Sequence, residues 1–504
     1  MQRDLTRLTG RVHDLVVVGG GIHGACIAWD ATQRGLTVAL VERYDFGSAT
    51  SASSLRIVHG GLRSLTRGNF RGMRQSNRER SALLRIAPTL VEPLPVLVPT
   101  RGKGPTSLPV LRALLRLNDL LSSSRNRGLE SDQRLPDGRL LPLDECRRQF
   151  PAFPPGATGG AQWWDGRLRQ PERLTLAFVR AAADRGAAVA NYCQMDQLMV
   201  ENGTATGVRV MDVIGGDTLE VRGRRVVIAA GPWTPLLCGQ ASSVAPQAFA
   251  LNIEVSGRLA ETAVGVRSPT GRAGDPVMGG HRFIFLVPQE ATTLLGTWYV
   301  PWQGQDADAL VRRGAATLIE EFNAACPEMA LAEPDLVRCQ WGLLPLKAGR
   351  EPGRSGALAA RARVIDHGFG LGPRNMLSVE GVKFTTARGI AESVVDGVVA
   401  GLGRGKIPCR SAEVRIDRSE DRDGGPLRAQ IDRAIREEMA VRLSDVIFRR
   451  TSLGLQLPPA RGAVADVARI VAGTLGWTPS QEADEIADVV RRLHPFGSTM
   501  GPAG

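Results

Sequence analysis

The stretch DLVVVGGGIHGACIAWDATQRGLTVALVE, residues 14–42, is the one on which the reading of this chain turns. It begins with four apolar residues in a row, Leu15–Val18, the pattern of a strand buried on both faces. Gly19, Gly21 and Gly24 follow at the spacing G-x-G-x-x-G, then a segment of helical composition and a second apolar run, residues 36–41, ending in Glu42. This order predicts a β-α-β unit in which each part has a physical task. Gly19 permits a tight turn, Gly21 lets a pyrophosphate approach the backbone, and Gly24 lets the helix pack closely on the strand. The helix N-terminus offers unpaired N–H groups to phosphates, and Glu42 is placed to accept hydrogen bonds from ribose hydroxyls. A plain glycine turn explains the three glycines alone. It does not explain strand, helix, second strand and terminal acid together, so residues 14–42 are read as a dinucleotide site.

The 504 residues suffice for two or three domains. Hydrophobic content of 43% and charged content of 23% are those of an ordinary globular protein. The net charge of +12 comes almost entirely from arginine. It suits anionic ligands or anionic lipid heads, but no aromatic-interleaved basic cluster or zinc module points to nucleic acid. The seven cysteines are scattered, with neither CxxC nor metal-ligand spacing, so no metal is expected and the thiols suit a reducing compartment. The N-terminus lacks the apolar core of a signal peptide, and no apolar run is long enough to span a bilayer. A cytoplasmic protein is expected, with peripheral contact on the inner face of the membrane left open.

Beyond Glu42, the small hydroxylated run GSATSASS (residues 47–54) leads into HGGLR (residues 59–63), where glycines let backbone approach a ligand. Residues 69–86 and 108–121 read as helices, the second as amphipathic and core-facing. Residues 162–186 read as strand, turn and helix, followed by a series of short strands that reaches the Gly231-Pro232-Trp233 turn. Residues 250–350 lose the βαβ rhythm and carry strands at 282–288 and 293–300 and a helix at 306–325. The chain then returns through GVKFTTAR (residues 381–388) at a strand–glycine–helix junction. After a basic linker, residues 426–500 are helical in pattern.

The set GGGIHGACIAWDATQRGL, ATSASS, HGGLR, the Gly-Pro-Trp turn and GVKFTTAR, with REEMAVRLSDVIFRRTSLGL near the C-terminus, resembles the FAD-dependent glycerol-3-phosphate dehydrogenases over nearly the whole chain. The resemblance implies an α/β fold: a Rossmann-type FAD-binding domain with an inserted antiparallel β-sheet substrate (cap) domain and a small α-helical C-terminal domain, as in the D-amino-acid-oxidase-like flavoproteins. The expected boundaries are 12–400 for the oxidoreductase part, with the cap mainly at 85–165 and 245–350, and 408–504 for the helical part. It implies oxidation of a secondary alcohol to a ketone, hydride transfer to flavin and reduction of a quinone or other acceptor, with a small hydroxylated molecule as substrate and a homodimer as one form. Gly19, Gly21, Gly24, Glu42, Thr50, Ser51, Ser54, Gly60, Gly61, Gly231, Lys383 and Thr385 match FAD-contact positions. His59 matches the histidine beside the flavin, Arg63 an arginine facing substrate, and Arg388 the arginine ending the GGKLTTYR motif.

Four departures fall on the substrate side. The family's tyrosine after HGGLR is Ser64, the arginine of its GVRPL motif is Leu344, the tyrosine of TTYR is Ala387, and its Gly-Ser-His strand has no clear equivalent at residues 253–258. A leucine cannot grip a phosphate as a guanidinium does. The expectation is therefore a retained flavin and an enlarged pocket, lined by Trp298, Trp302 and Trp341 unless these are core aromatics, that takes a larger polyol, sugar or cyclitol. An FAD-dependent amine or amino-acid oxidase and an inactive flavin-binding scaffold are the competing readings.

Overall fold

The computed structural model describes residues 1–497 except 67, 105, 240–245, 270–281, 348–356, 360, 371, 424, 456–458 and 460. The ends of the expected cap and C-terminal segments at 245, 348–350 and 498–504 thus lie outside the described residues. A six-stranded sheet runs in the order Arg363–Asp366, Met376–Glu380, Val226–Ile228, Leu15–Val18, Val38–Val41, Ala188–Ala190. It is parallel except for the edge strand Arg363–Asp366. All residues of Leu15–Val18 and Val38–Val41 are buried, which is why these strands read as continuous apolar runs. The helices Ile22–Gln33, Pro171–Asp184 and Ala387–Gly401 pack together over one face around Ile27, Phe178 and Val395, each without exposed surface. Burial of each such side chain is worth about 1.5–3 kcal/mol.

The cap is a larger sheet in the order Leu336–Pro345, Gln247–Ser256, Thr292–Trp302, Phe283–Pro288, Ala263–Arg267, Val91–Thr100, Gly159–Leu168, Ile57–Val58. It is antiparallel as expected, apart from one parallel pair between Ala263–Arg267 and Val91–Thr100. The long excursion between those strands lets the chain re-enter in the same direction. The strand Val91–Thr100 was hidden in the sequence by three prolines. Pro93, Pro95 and Pro99 recur with period two and so share one edge. Among the described residues that edge pairs only at Val96 and Leu97, while the other pairs along the full length of Gly159–Leu168.

The C-terminal region is helical: Leu427–Glu437, Leu443–Asp445, a π-helical turn Val446–Arg450, Arg461–Leu475 and Pro479–Leu493. Ile431, Leu443, Val464, Val471 and Val489 form its own apolar core. Thr478 and Gln481 cap the last helix reciprocally. No helix among the described residues is long and apolar enough to cross a membrane.

Candidate active site

The geometry at residues 19–24 shows why glycine stands there. Gly19 has φ +106°, and a Cβ on it would lie 2.5 Å from the carbonyl oxygen of Ala229 on the neighbouring strand. A Cβ on Gly24 would lie 1.9 Å from the Gly19 carbonyl oxygen, so helix and strand touch backbone to backbone. Gly21 is the N-cap of the helix Ile22–Gln33. Glu42 turns back to this turn: its carboxylate accepts the Gly20 N–H at 2.6 Å and the Tyr44 N–H at 2.9 Å. Burial raises its carboxyl above the usual range, a trend the two N–H donors oppose.

The hydroxylated loop folds over the same helix end. Ser51 Oγ accepts the Ile22 N–H at 3.0 Å, and Ser54 Oγ accepts the Arg56 N–H at 3.2 Å. Thr50 packs on Gly342 of the cap, where a Cβ would meet Thr50 Cγ2 at 2.9 Å. The Thr50 and Ser53 hydroxyls and His23 Nε2 are buried without hydrogen-bond partners among the described residues. Buried polar atoms are normally paired, so these orphaned groups, at the end of a dinucleotide-type helix, fit a bound cofactor. Gly231, with φ +55°, has open space where a side chain would stand. Lys383 is exposed and Thr385 buried at the junction before Ala387–Gly401. Asn252 was not found from the sequence. It stands at a bulge in the cap strand Gln247–Ser256, donates to the Ser53 carbonyl at 3.2 Å and accepts from Thr297 Oγ1 at 2.7 Å.

His59 is half exposed and its Nδ1 lies 3.2 Å from Oδ2 of Asp165, a buried residue on the strand Gly159–Leu168. Asp165 Oδ1 also accepts the Gly60 N–H at 2.6 Å and Arg80 Nη1 at 3.1 Å. Burial pushes the Asp165 carboxyl up, but the bond from His59, the charges of His59 and Arg80 and the Gly60 N–H outweigh it and hold the group below the usual carboxylate range. With Nδ1 engaged, Nε2 is the ring nitrogen left to face a ligand. Phe285 meets the ring edge-on at 6.2 Å. Arg63 and Ser64 follow on the short helix Leu62–Leu65, Arg63 exposed and Ser64 half-buried.

Several expectations are corrected here. The space at Gly60 and Gly61 is filled by protein: a Cβ would lie 2.0 Å from Arg80 Nη1 at Gly60 and 2.9 Å from Met73 Cα at Gly61. These glycines admit Arg80 and the helix Phe70–Ile86 on the side where a side chain would stand. Arg388 does not face substrate. Its guanidinium is buried, bonded to Glu79 at 2.6 and 2.7 Å, to Glu392 at 3.1 Å and to Ser411 at 3.1 Å. Ala387 is 1% exposed in the core of the cofactor domain, so its small size does not enlarge a pocket. Trp298, Trp302 and Trp341 are cap-core aromatics around Phe249, which stacks on Trp341 at 4.9 Å and on Trp302 at 5.9 Å. Strand alternation decides this: Trp341 and Gly342 point to opposite faces, and Gly342 faces the cofactor loop. On that loop-facing side stand Leu344 and, one strand beyond Ala250, Tyr299.

Comparison with known proteins agrees with this architecture. Residues 14–396 match the family described as FAD dependent oxidoreductase, and residues 410–482 match the C-terminal domain of alpha-glycerophosphate oxidase. Glycerol-3-phosphate dehydrogenase 1 of Mycobacterium bovis is 30% identical over 92% of this chain and 96% of its own length. The glycerol-3-phosphate dehydrogenase of Synechocystis is 28% identical over 95% and 96%. The crystal structure of the glycerol-3-phosphate dehydrogenase from Bacillus halodurans complexed with FAD shares the fold, with a TM-score of 0.75 at 21% identity over 99% of this chain and 98% of that one. Glycine turn, capping acid, hydroxylated loop and helical appendage thus stand together for a reason: the chain belongs to the FAD-dependent oxidoreductase family, in its glycerol-3-phosphate dehydrogenase branch.

Proposed function

We propose that the protein oxidises a secondary alcohol to a ketone, with His59 as the base. When bound, FAD supplies the acceptor for the hydride of the substrate's C–H bond. The chain's own part is to orient the carbinol and take its hydroxyl proton on His59 Nε2. Asp165 holds the ring through Nδ1 and stabilises the imidazolium that forms. Arg63, four residues on, is proposed to orient substrate oxygens, and Gly19, Gly21, Gly24, Glu42, Thr50, Ser51, Ser54, Gly231, Lys383 and Thr385 to hold the cofactor. The observation that carries this reading is the His59–Asp165 pair, half open to solvent on one side and buried on the other.

Relatives named glycerol-3-phosphate dehydrogenases make glycerol 3-phosphate the default substrate. The cap face opposite the loop supports a different one. Leu344 and Tyr299, both half-buried, stand on that face, and a leucine and a phenol in place of a guanidinium suit an uncharged polyol, sugar or cyclitol. Anaerobic stopped-flow flavin bleaching tests this. Uncharged polyols are expected to bleach the flavin faster than glycerol 3-phosphate, and Leu344→Arg is expected to reverse the preference. Rapid bleaching by glycerol 3-phosphate, unchanged in L344R, overturns it.

For the second half-reaction we propose a quinone reached at a membrane surface. The helix Leu108–Leu121 buries Leu111 and Leu115 but leaves Val110, Leu117 and Leu120 exposed among Arg112 and Arg116. It packs beside the short helix that carries Arg63, and apolar residues flanked by arginine suit an anionic interface. Co-sedimentation with anionic vesicles, weakened by Leu120→Glu, is the expected result.

A further inference from the structure

The turn that follows Glu42 is anchored from outside its own domain. Asp45 is fully buried, and its carboxylate receives Arg450 Nη1 at 2.5 Å, Arg450 Nη2 at 2.7 Å, Arg449 Nε and Asn191 Nδ2 at 3.1 Å. Both arginines come from the π-helical turn Val446–Arg450 of the C-terminal domain. In an α-helix consecutive side chains diverge by about 100°. The π turn, a geometry frequent at functional sites, brings two consecutive guanidinium groups onto one carboxylate.

The arginines are themselves fixed. Arg449 Nη2 bonds Asp445 at 2.5 Å, which also accepts the Tyr192 hydroxyl at 2.7 Å. Arg450 donates to the Glu438 carbonyl at 2.9 Å. On the other side, the Tyr192 N–H bonds the Tyr44 carbonyl at 2.9 Å, the Glu42 N–H bonds the Ala190 carbonyl at 3.0 Å, and the Tyr44 N–H bonds the Glu42 carboxylate. Residues 42–45 are therefore held between the edge of the parallel sheet and the C-terminal helices. Only Arg43 and Tyr44 separate Asp45 from Glu42 along the chain.

We propose that Asp45, gripped by Arg449 and Arg450, is a clamp through which the C-terminal domain positions Glu42 for FAD. These three are positioning residues, and the proposal rests on the reading of Glu42 as a cofactor contact. It gives the helical domain a role in holding the cofactor that its distance from the glycine turn in sequence conceals.

The test uses the full chain, deflavinated and titrated with FAD, with the melting temperature of the apoprotein measured alongside. Asp45→Asn and Arg450→Met are expected to raise the Kd for FAD at least tenfold. The double variant D45N/R450M removes the unpaired buried charge, and is expected to recover apoprotein melting but not FAD affinity. Asp421→Asn is the control: Asp421 also ties the C-terminal segment to the cofactor domain, through Arg173 and Arg180, without touching residues 42–45. Its Kd is expected within twofold of the parent. The clamp is overturned if D45N, R450M and the double variant all bind FAD within twofold of the parent while Glu42→Gln weakens binding. It is equally overturned if D421N weakens binding as much as they do. An unchanged Kd in E42Q overturns the reading of Glu42 and the clamp with it.

Discussion

His59 and Asp165 stand 106 residues apart in sequence and 3.2 Å apart in space, with the imidazole half exposed and the carboxylate buried. The pairing turns an otherwise mobile surface imidazole into an oriented one. Asp165→Asn should lower the rate of flavin reduction by roughly 10²–10⁴-fold, the range for loss of positioned acid–base catalysis, with FAD still bound. His59→Ala should fall in the same range, and the two losses should not add. Additive losses in the double variant, read by anaerobic stopped flow, would mean that the residues act independently.

Arg388 and Glu79 form the opposite case, a pair closed to solvent on both sides. Glu79→Gln removes the carboxylate charge and leaves a buried guanidinium short of a counterion, which costs about 3–5 kcal/mol. Urea denaturation should show that loss. The protein that remains folded at low urea should reduce its flavin at near the parent rate, because neither residue faces substrate.

Leu344→Arg should introduce a cation on the cap face that looks onto the cofactor loop. A buried charge pair with a phosphate is worth about 2–5 kcal/mol, so kcat/KM for a phosphorylated substrate should rise by roughly 30-fold or more. No gain for the phosphorylated substrate would place Leu344 outside its reach.

Acid should loosen the segment that carries Asp421. Burial pushes the Asp421 carboxyl up, but its bonds and charge pairs with Arg180 and Arg173 pull it down further, to about 2. A depressed carboxylate contributes stability that is fully present above the ordinary value near 4 and is lost as pH falls toward 2. The loss from Asp421 is about 2 kcal/mol. Proteolytic cleavage next to Asp421 should therefore increase below about pH 4, and D421N should show the increase already at neutral pH while the Asp45 clamp stays closed.

Gly24→Ala would place a methyl 1.9 Å from the Gly19 carbonyl oxygen. Neither backbone can yield without separating helix from strand, so overpacking of about 1–3 kcal/mol and weakened FAD binding are expected. Calorimetry and flavin titration read the two effects separately.

The sequence alone determined what short-range chemistry dictates: the β-α-β unit, the glycine turn, the terminal acid Glu42, the helices Phe70–Ile86 and Leu108–Leu121, and a helical C-terminal region. Each rests on spacings of a few residues, where backbone sterics and hydrophobic period act directly. The tertiary structure decided everything that depends on which face a side chain takes or which distant residue it meets. Strand alternation put Trp298, Trp302 and Trp341 into the cap core and Tyr299 on the loop-facing side. Gly60 and Gly61 make room on their side-chain side for Arg80 and Met73. Arg388 left the candidate site because Glu79, 309 residues away, claims its charge. Asp165 entered it for the same kind of reason, since a contact across 106 residues leaves no periodic trace in the chain.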